Sequence, residues 1–138
     1  LAMGDIDNDG DLDVFVSSVA VKPRLYRNVA KRDGHWLTLK IRNPSWNRDA
    51  IGARVKLLAG GKSWIREVMP NVGYLSSHDS RLHFGLGNVN SWDSITVCWP
   101  DDVSGFEEFG PGTVDQLLVL QKGGGRPVHT ESTGGEFP

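Results

Sequence analysis

Nine residues near the start of the chain carry five carboxylates, and this acidic run constrains the fold more than any other feature. Its sequence is Asp5-Ile6-Asp7-Asn8-Asp9-Gly10-Asp11-Leu12-Asp13, with an acidic side chain at every second position. Two carboxylates held about 4 Å apart repel each other by about 4 kcal/mol at an effective dielectric constant of 20. A fold that brings five of them together therefore needs a cation, and an empty, solvated acidic turn is the weaker interpretation.

Calcium suits this spacing better than other cations. It takes about six to eight oxygen ligands at about 2.3–2.6 Å, and alternating acidic side chains around a tight turn converge on one point. Gly10 permits that turn because it has no Cβ. Magnesium is less favoured because it keeps its waters and requires a strict octahedron. The sequence predicts one Ca²⁺ bound by four side chains and, at the fourth aspartate, a backbone carbonyl: Asp5, Asp7, Asp9, Asp11 and Asp13.

The residues after the loop exclude a helix–loop–helix calcium site. Such a site needs a bidentate Glu at loop position 12, which here is Val16. The run ending there is β-branched and aromatic, and predicts a strand. The segment Met3-Gly4-Asp5-Ile6-Asp7-Asn8-Asp9-Gly10-Asp11-Leu12-Asp13-Val14 resembles the calcium loop of FG-GAP/VCBS repeats, and Pro23-Arg24-Leu25-Tyr26-Arg27-Asn28 resembles the segment that follows it. The resemblance implies that residues 1–28 are a fragment of a β-propeller-type blade.

The middle of the chain alternates apolar and polar residues, which predicts strands with one buried face. Gly60-Gly61 predicts a hairpin turn, and the apolar run 117–120 predicts a last, fully buried strand. Several short strands at this spacing indicate an all-β fold, with an antiparallel β-sandwich over residues 35–121. We expect its core to contain Leu37, Leu39, Val55, Leu57, Phe84, Val97 and Trp99.

A second resemblance covers the same region. The motifs that carry it are His35-Trp36-Leu37, Asn47-Arg48-Asp49-Ala50-Ile51-Gly52-Ala53-Arg54-Val55, Gly73-Tyr74-Leu75-Ser76-Ser77, Arg81-Leu82-His83-Phe84-Gly85-Leu86-Gly87 and Asp93-Ser94-Ile95-Thr96-Val97-Cys98-Trp99-Pro100. In this order they resemble the ASPIC/UnbV domain, which commonly follows FG-GAP/VCBS repeats in secreted proteins. The family's activity is poorly defined, so the resemblance implies architecture more than function. The glycine-rich residues 122–138 are expected to be a flexible tail without a fold of its own.

Composition and spacing exclude several classes of function. The net charge of −2 and the isoelectric point near 6.1 give no general attraction to nucleic acid, and no apolar run is long enough for membrane insertion. Ser76, Ser77, His78 and Asp79 contain every member of a hydrolase triad, but they are adjacent. Neighbours in one loop rarely point at each other, so we expect no enzymatic activity.

Three hypotheses for the function follow. The first is a secreted, calcium-binding, non-catalytic interaction or scaffolding module, extracellular, periplasmic or on a cell surface, that binds a protein partner or a neighbouring chain in adhesion or assembly. The second is a carbohydrate-binding module, because exposed aromatic rings stack on sugars; its candidate residues are Trp36, Trp46 and Trp64, with Trp36 and Trp64 expected opposite the apolar stripes. The third is an accessory domain of an enzyme. Under the first hypothesis the edges of segment 1–28 are covered by the sandwich or by another chain.

Overall fold

The structure, a computed structural model, describes residues 1–31, 33–46 and 48–129, without the side chains of residues 103, 104 and 129. Within these ranges the chain consists of short strands and one 3-10 turn, Pro44–Trp46. The strands are β1 (Ala2–Gly4), β2 (Asp13–Val16), β3 (Arg24–Tyr26), β4 (His35–Asn43), β5 (Arg48–Asp49), β6 (Arg54–Ala59), β7 (Lys62–Glu67), β8 (Leu82–Gly87), β9 (Ser91–Trp92), β10 (Ser94–Trp99), β11 (Asp102–Phe109), β12 (Gly112–Thr113), β13 (Gln116–Gln121) and β14 (Arg126–His129). The prediction of an all-β fold is confirmed.

A small antiparallel sheet forms the N-terminal part of the chain. Its strand order is β1-β2-β3, and the acidic run fills the connection between β1 and β2. Strand β2 lies in the middle, where Val14 pairs with Met3 on one side and Tyr26 on the other. The acidic run is therefore held at both ends by one sheet.

A five-stranded antiparallel sheet has the order β14-β11-β10-β6-β7. Strands β6 and β7 form the hairpin predicted from Gly60-Gly61, whose backbone φ angles are +53° and +73°. Both angles lie in the left-handed region that glycine enters without a steric penalty.

The opposing sheet is built around β4. Strand β8 pairs with β4 antiparallel over residues 35–39, β5 pairs with its far end, and β13 lies along its other edge. The β13–β4 pair is parallel, unlike the antiparallel arrangement predicted for the sandwich. The chain enters β13 through Asp115, which has φ +58° and donates its N–H to Trp36 O at 2.6 Å. This turn starts β13 beside the beginning of β4, so the two strands run in the same direction.

The apolar faces of the two sheets share one core, which makes them a β-sandwich. All seven residues predicted for the core are at most 1% exposed, because alternation places them on the inner faces. Arg66 on β7 connects the two sheets at one side of the core. Its guanidinium carbon lies 5.6 Å from the centroid of the Phe84 ring, and its Nε donates to His83 O at 3.0 Å. The run 117–120 is not fully buried as predicted, since Leu117 and Val119 are 37% and 43% exposed on an edge strand.

The prediction of a structureless tail from residue 122 is wrong for β14. Residues Arg126–His129 pair with β11, whose edge offers unpaired backbone donors and acceptors. The Glu107 carboxylate accepts the backbone N–H groups of Gly123 at 2.8 Å and Gly125 at 3.1 Å, which fixes the turn before the strand. Residues 130–138 of the predicted tail lie outside the described residues.

Among the residues that the structure describes, no helix has the length and apolar character needed to cross a lipid bilayer.

Candidate metal-binding loop

The acidic loop, residues 5–13, is closed by hydrogen bonds from its own backbone. The buried Asp5 carboxylate accepts the N–H groups of Asp9 at 3.2 Å and Gly10 at 3.0 Å. Asp9 Oδ1 in turn accepts the N–H of Asp11 at 2.9 Å. Gly10 completes the turn with φ +89°, a conformation that side chains other than glycine rarely adopt. The loop therefore curls around the Asp5 carboxylate.

Asp13 ties the end of the acidic loop to its beginning and to the residues after β3. Its Oδ2 accepts the N–H of Ile6 at 3.0 Å, and its Oδ1 accepts the N–H of Asn28 at 2.8 Å. These two backbone hydrogen bonds, that from Asn28 first, hold the pKa of Asp13 below its ordinary value of 3.8. The carboxylate stays ionised although the residue is only 2% exposed.

Three of the five predicted ligands come together. Asp5, Asp7 and Asp13 each place a carboxylate oxygen so that the three atoms lie within 4.8 Å of one another. Oxygens at about 2.3–2.6 Å from one calcium ion are at most about 4.6–5.2 Å apart, so this spread suits the calcium sphere. The Asp9 carboxylate instead caps the backbone of Asp11. The donor set, made only of carboxylate oxygens, suits a hard cation.

Asp7 is the exposed member of this group, and it also forms an ion pair with Arg27. Asp5 and Asp13 are buried and already accept backbone hydrogen bonds. Asp7 therefore differs from Asp5 and Asp13 in being paired with the Arg27 guanidinium, and a cation at the group would compete with Arg27 for this carboxylate.

The acidic loop packs on the outer face of the β4 sheet. The ring of Trp36 lies against Gly10 so closely that a Cβ built on Gly10 would come within 2.1 Å of it. The ring of His83 is stacked with that of Trp36, with centroids 6.5 Å apart and planes inclined by 12°. His83 Nε2 lies 2.8 Å from Gly10 O, so this nitrogen carries the proton and donates it to the carbonyl.

Arg81 is the second attachment between the acidic loop and the sandwich. Its guanidinium donates to the side-chain carbonyl of Asn8 and to the backbone carbonyl of Asp5. Its Nε donates to Asp79 Oδ2 at 2.6 Å, and this bond is the main reason that the pKa of Arg81 is raised above its ordinary value. One guanidinium thus joins two positions of the acidic loop to the residues before β8.

The residues that resemble a hydrolase triad hold the edge of β1 instead. His78 Nδ1 accepts the N–H of Met3 at 3.1 Å, and the N–H of Asp79 donates to Met3 O at 3.0 Å. The Asp79 carboxylate is engaged by Arg81. A cleft of about 490 Å³ lies between this segment and the acidic loop, lined in part by Phe15 and Ser77. The expected cover for the β1 edge is therefore supplied in part by the same chain.

The three tryptophans considered as a sugar platform lie in different settings. Trp36 is on the outer face of β4 as expected, but it is in contact with Gly10 and stacked with His83. Trp64 was expected on an outer face, yet it is paired with Leu57 and packs against the core, because directly opposed residues share a face. Trp46 is 42% exposed, with the guanidinium of Arg48 at 4.9 Å from its ring centroid.

Sequence reasoning did not find the roles of Arg81 and His83. Both are outward-facing positions of the alternating segment around β8, and the alternation indicated that they face away from the core. It carried no information on what covers that outer face. The positive charge of Arg81 was the one available signal, since a cation facing an acidic loop is electrostatically favoured.

Comparisons with known proteins place most of the chain in one family. Residues 43–127 match the family model described as ASPIC and UnbV. Cartilage acidic protein 1 of Xenopus tropicalis is 28% identical over 123 residues, an alignment that covers 86% of this chain and 19% of that protein. The chain thus spans about a fifth of the length of this curated relative.

Proposed function

The chain belongs to the ASPIC and UnbV family, and from this premise we propose that it is a calcium-binding, non-catalytic interaction module. In this proposal the module works outside the cytosol, in an extracellular, periplasmic or cell-surface protein. Its N-terminal sheet is the end of an FG-GAP/VCBS blade, and its sandwich carries the family fold. The cation, when bound, supplies a cross-link between residues of the acidic loop and performs no reaction.

The observation that carries the proposal is the convergence of Asp5, Asp7 and Asp13, with their oxygens within 4.8 Å of one another. Arg27 compensates part of the repulsion among these carboxylates, and a bound cation would compensate the remainder. Neighbouring hydrogen bonds lower the pKa of Asp13, which keeps this ligand in its charged, metal-binding form at neutral pH.

An interaction role is supported by the apolar surface of the N-terminal sheet. Several large apolar side chains in and next to its three short strands are 42–58% exposed, an unusually large number for so small a sheet. They are Leu1, Met3, Phe15, Leu25 and Tyr26. The register places Phe15 and Leu25 on one face of the sheet and Met3 and Tyr26 on the other, so both faces expose apolar side chains, which favours contact with further protein.

A non-catalytic role is supported by the use of the polar residues near the cleft. The imidazole of His78 accepts the Met3 N–H, and the Asp79 carboxylate is held by Arg81. A hydrolytic triad needs its histidine to contact a nucleophile and its acid to orient that histidine. Both groups instead join β1 and the acidic loop to the sandwich.

Calorimetric titration of calcium into chelator-treated protein tests the metal site. We expect one bound calcium per chain, with a dissociation constant of about 10⁻⁴–10⁻³ M, as in extracellular modules. Calcium at ten times that constant should raise the free energy of unfolding by about 1.4 kcal/mol. Asp7→Asn should weaken binding at least tenfold because it removes the charged oxygen of one of the three converging carboxylates.

Asp93→Asn is the matched control, since it removes one exposed carboxylate outside the acidic loop. Absence of binding heat together with an unchanged melting temperature in calcium would contradict the proposal. Equal losses in Asp7→Asn and Asp93→Asn would reduce the effect to net charge. Binding to a glycan panel that is lost in Trp46→Ala would replace the protein-interaction role with carbohydrate recognition.

A further inference from the structure

Three side chains of the sandwich attach the acidic loop, and we name them the docking face: Trp36, Arg81 and His83. Trp36 lies on β4, His83 on β8, and Arg81 immediately before β8. All three point away from the sandwich core, because Leu37, Leu82 and Phe84 occupy the inner positions of the same strands. They cover the outer surface of one sheet where the loop rests on it.

The docking face contacts the acidic loop mainly through backbone groups of the loop. Arg81 binds the carbonyl of Asp5, and His83 binds the carbonyl of Gly10 at 2.8 Å. Trp36 packs on Gly10, whose missing Cβ makes room for the ring. The backbone conformation of the acidic loop also decides whether its carboxylates converge. The contacts of the docking face and the candidate metal site therefore both require the same loop conformation.

Burial on the outer face supports a close fit. Thr38 lies on the same side of β4 as Trp36 and directly opposite His83, and it is only 2% exposed. Thr38 is flanked by Leu117 on one side and His83 on the other, so the outer face is closed over beside the ring of Trp36, which itself lies against Gly10 of the acidic loop.

We propose that the docking face couples the acidic loop to the sandwich, so that a cation bound at the loop also stabilises the sandwich strands. Arg81 is the positioning residue of this coupling. Its planar fork reaches Asn8, Asp5 and Asp79 at once, which a lysine, with a single ammonium group, cannot reproduce. The inference rests on the calcium binding proposed above.

Hydrogen exchange of residues 1–138, followed with and without calcium, tests the coupling. Each protein is measured at ten times its own calcium dissociation constant, so that differences in affinity do not enter. The amides of Val14 and Phe15 report on the N-terminal sheet, and those of Leu39, Val55 and Val97 report on the sandwich. In the unmodified chain we expect calcium to slow the exchange of both sets of amides about tenfold. Ligand binding divides the population of the open state by 1 plus the calcium concentration over its dissociation constant, which is about eleven at this concentration.

In Arg81→Gln we expect calcium to slow only the N-terminal amides, with less than a twofold change in the sandwich. Arg81→Lys keeps the charge and loses the fork, so its sandwich amides should slow by an intermediate factor. Arg126→Gln is the control, because it removes another ion-paired arginine on the edge strand β14, away from the docking face. It should keep the full effect of calcium on both sets of amides.

The outcomes separate this inference from the calcium proposal. A chain that binds no calcium in calorimetry refutes the calcium site itself. A chain that binds calcium but slows only the amides of Val14 and Phe15 keeps the site and overturns the coupling. A full effect on the sandwich in Arg81→Gln overturns the role of Arg81. Loss of folding in Arg81→Gln leaves the decision to Arg81→Lys, where an undiminished effect also overturns it.

Discussion

Gly10→Ala should destabilise the chain more than Gly61→Ala, a change at another turn glycine with positive φ. The added methyl group would lie 2.1 Å from the ring of Trp36, while an ordinary contact is at least 3.4 Å. The ring and the acidic loop would have to separate by about 1.3 Å, the difference between these values. The 2.8 Å hydrogen bond from His83 to the Gly10 carbonyl would break in the process.

The magnitude has two parts. An alanine at φ +89° is strained by about 1–2 kcal/mol. Forcing an extra carbon into a packed contact costs about 1–3 kcal/mol more. The free energy of unfolding should therefore fall by about 2–5 kcal/mol.

Gly61→Ala supplies the matched control. Gly61 also has positive φ, +73°, but nothing lies within 4 Å of a Cβ built there. Its substitution should cost only the backbone strain of about 1–2 kcal/mol. Urea unfolding followed by circular dichroism, in chelator and again in calcium, gives both values.

A double-mutant cycle with Trp36→Ala isolates the contact. Without the indole ring, Gly10→Ala should cost no more than Gly61→Ala, which corresponds to a coupling energy of at least about 1 kcal/mol. The reasoning is refuted if Gly10→Ala costs no more than Gly61→Ala in the unmodified chain. It is also refuted if its cost stays the same after Trp36 is removed.

Three further outcomes are expected. Leu39→Ala should lower the free energy of unfolding by about 2–5 kcal/mol, as truncations in a packed core do. Leu117→Ala, at a position 37% exposed, should lower it by less than about 1.5 kcal/mol. Urea unfolding measures both values, and equal losses would contradict the described core. The ion pair with Lys122, 2.8 Å away, lowers the pKa of Asp101 from 3.8, so its stabilisation is complete above about pH 3.8 and is lost as the pH falls through the folded-state pKa. Acid titration of Asp101→Asn should therefore show a smaller loss of stability between pH 5 and pH 2 than the unmodified chain, and an equal loss would count against the pair. The unmodified chain and His78→Ala should both hydrolyse a panel of esters and glycosides no faster than the buffer alone. Any turnover that is lost in His78→Ala would overturn the non-catalytic assignment.

The core of the sandwich was predictable from sequence because alternation alone assigns residues to inner and outer faces. Leu37, Val55 and Trp99 needed no other information, and the Gly60-Gly61 turn followed from backbone sterics. The sharp turn of the acidic loop at Gly10 was predictable from the same local sterics, since glycine enters positive φ without a steric penalty.

The partners of the outer faces were not predictable, since a period of two does not specify what covers a polar stripe. Arg81 and His83 are therefore recognisable as outward residues, while their contact with the acidic loop comes from tertiary packing. Strand β14 was missed because its pairing is set by the open edge of β11 and not by local propensity. Asp9 was expected as a ligand from its spacing, and its Oδ1 also accepts the N–H of Asp11, a local hydrogen bond that aspartate commonly makes and that the spacing did not predict.

The parallel pairing of β13 with β4 has a consequence for how the chain folds during synthesis. Gln116 pairs with Leu37, which precedes it by 79 residues (116 minus 37). Translation at about 5–20 residues per second separates the two by about 4–16 seconds. During that time one edge of β4 presents its backbone groups without their final partner, and contacts of such long range also form slowly. This interval is when a nascent chain is most exposed to misassembly, so a factor that shields strand β4 until residues 116–121 have emerged would increase the yield of folded protein.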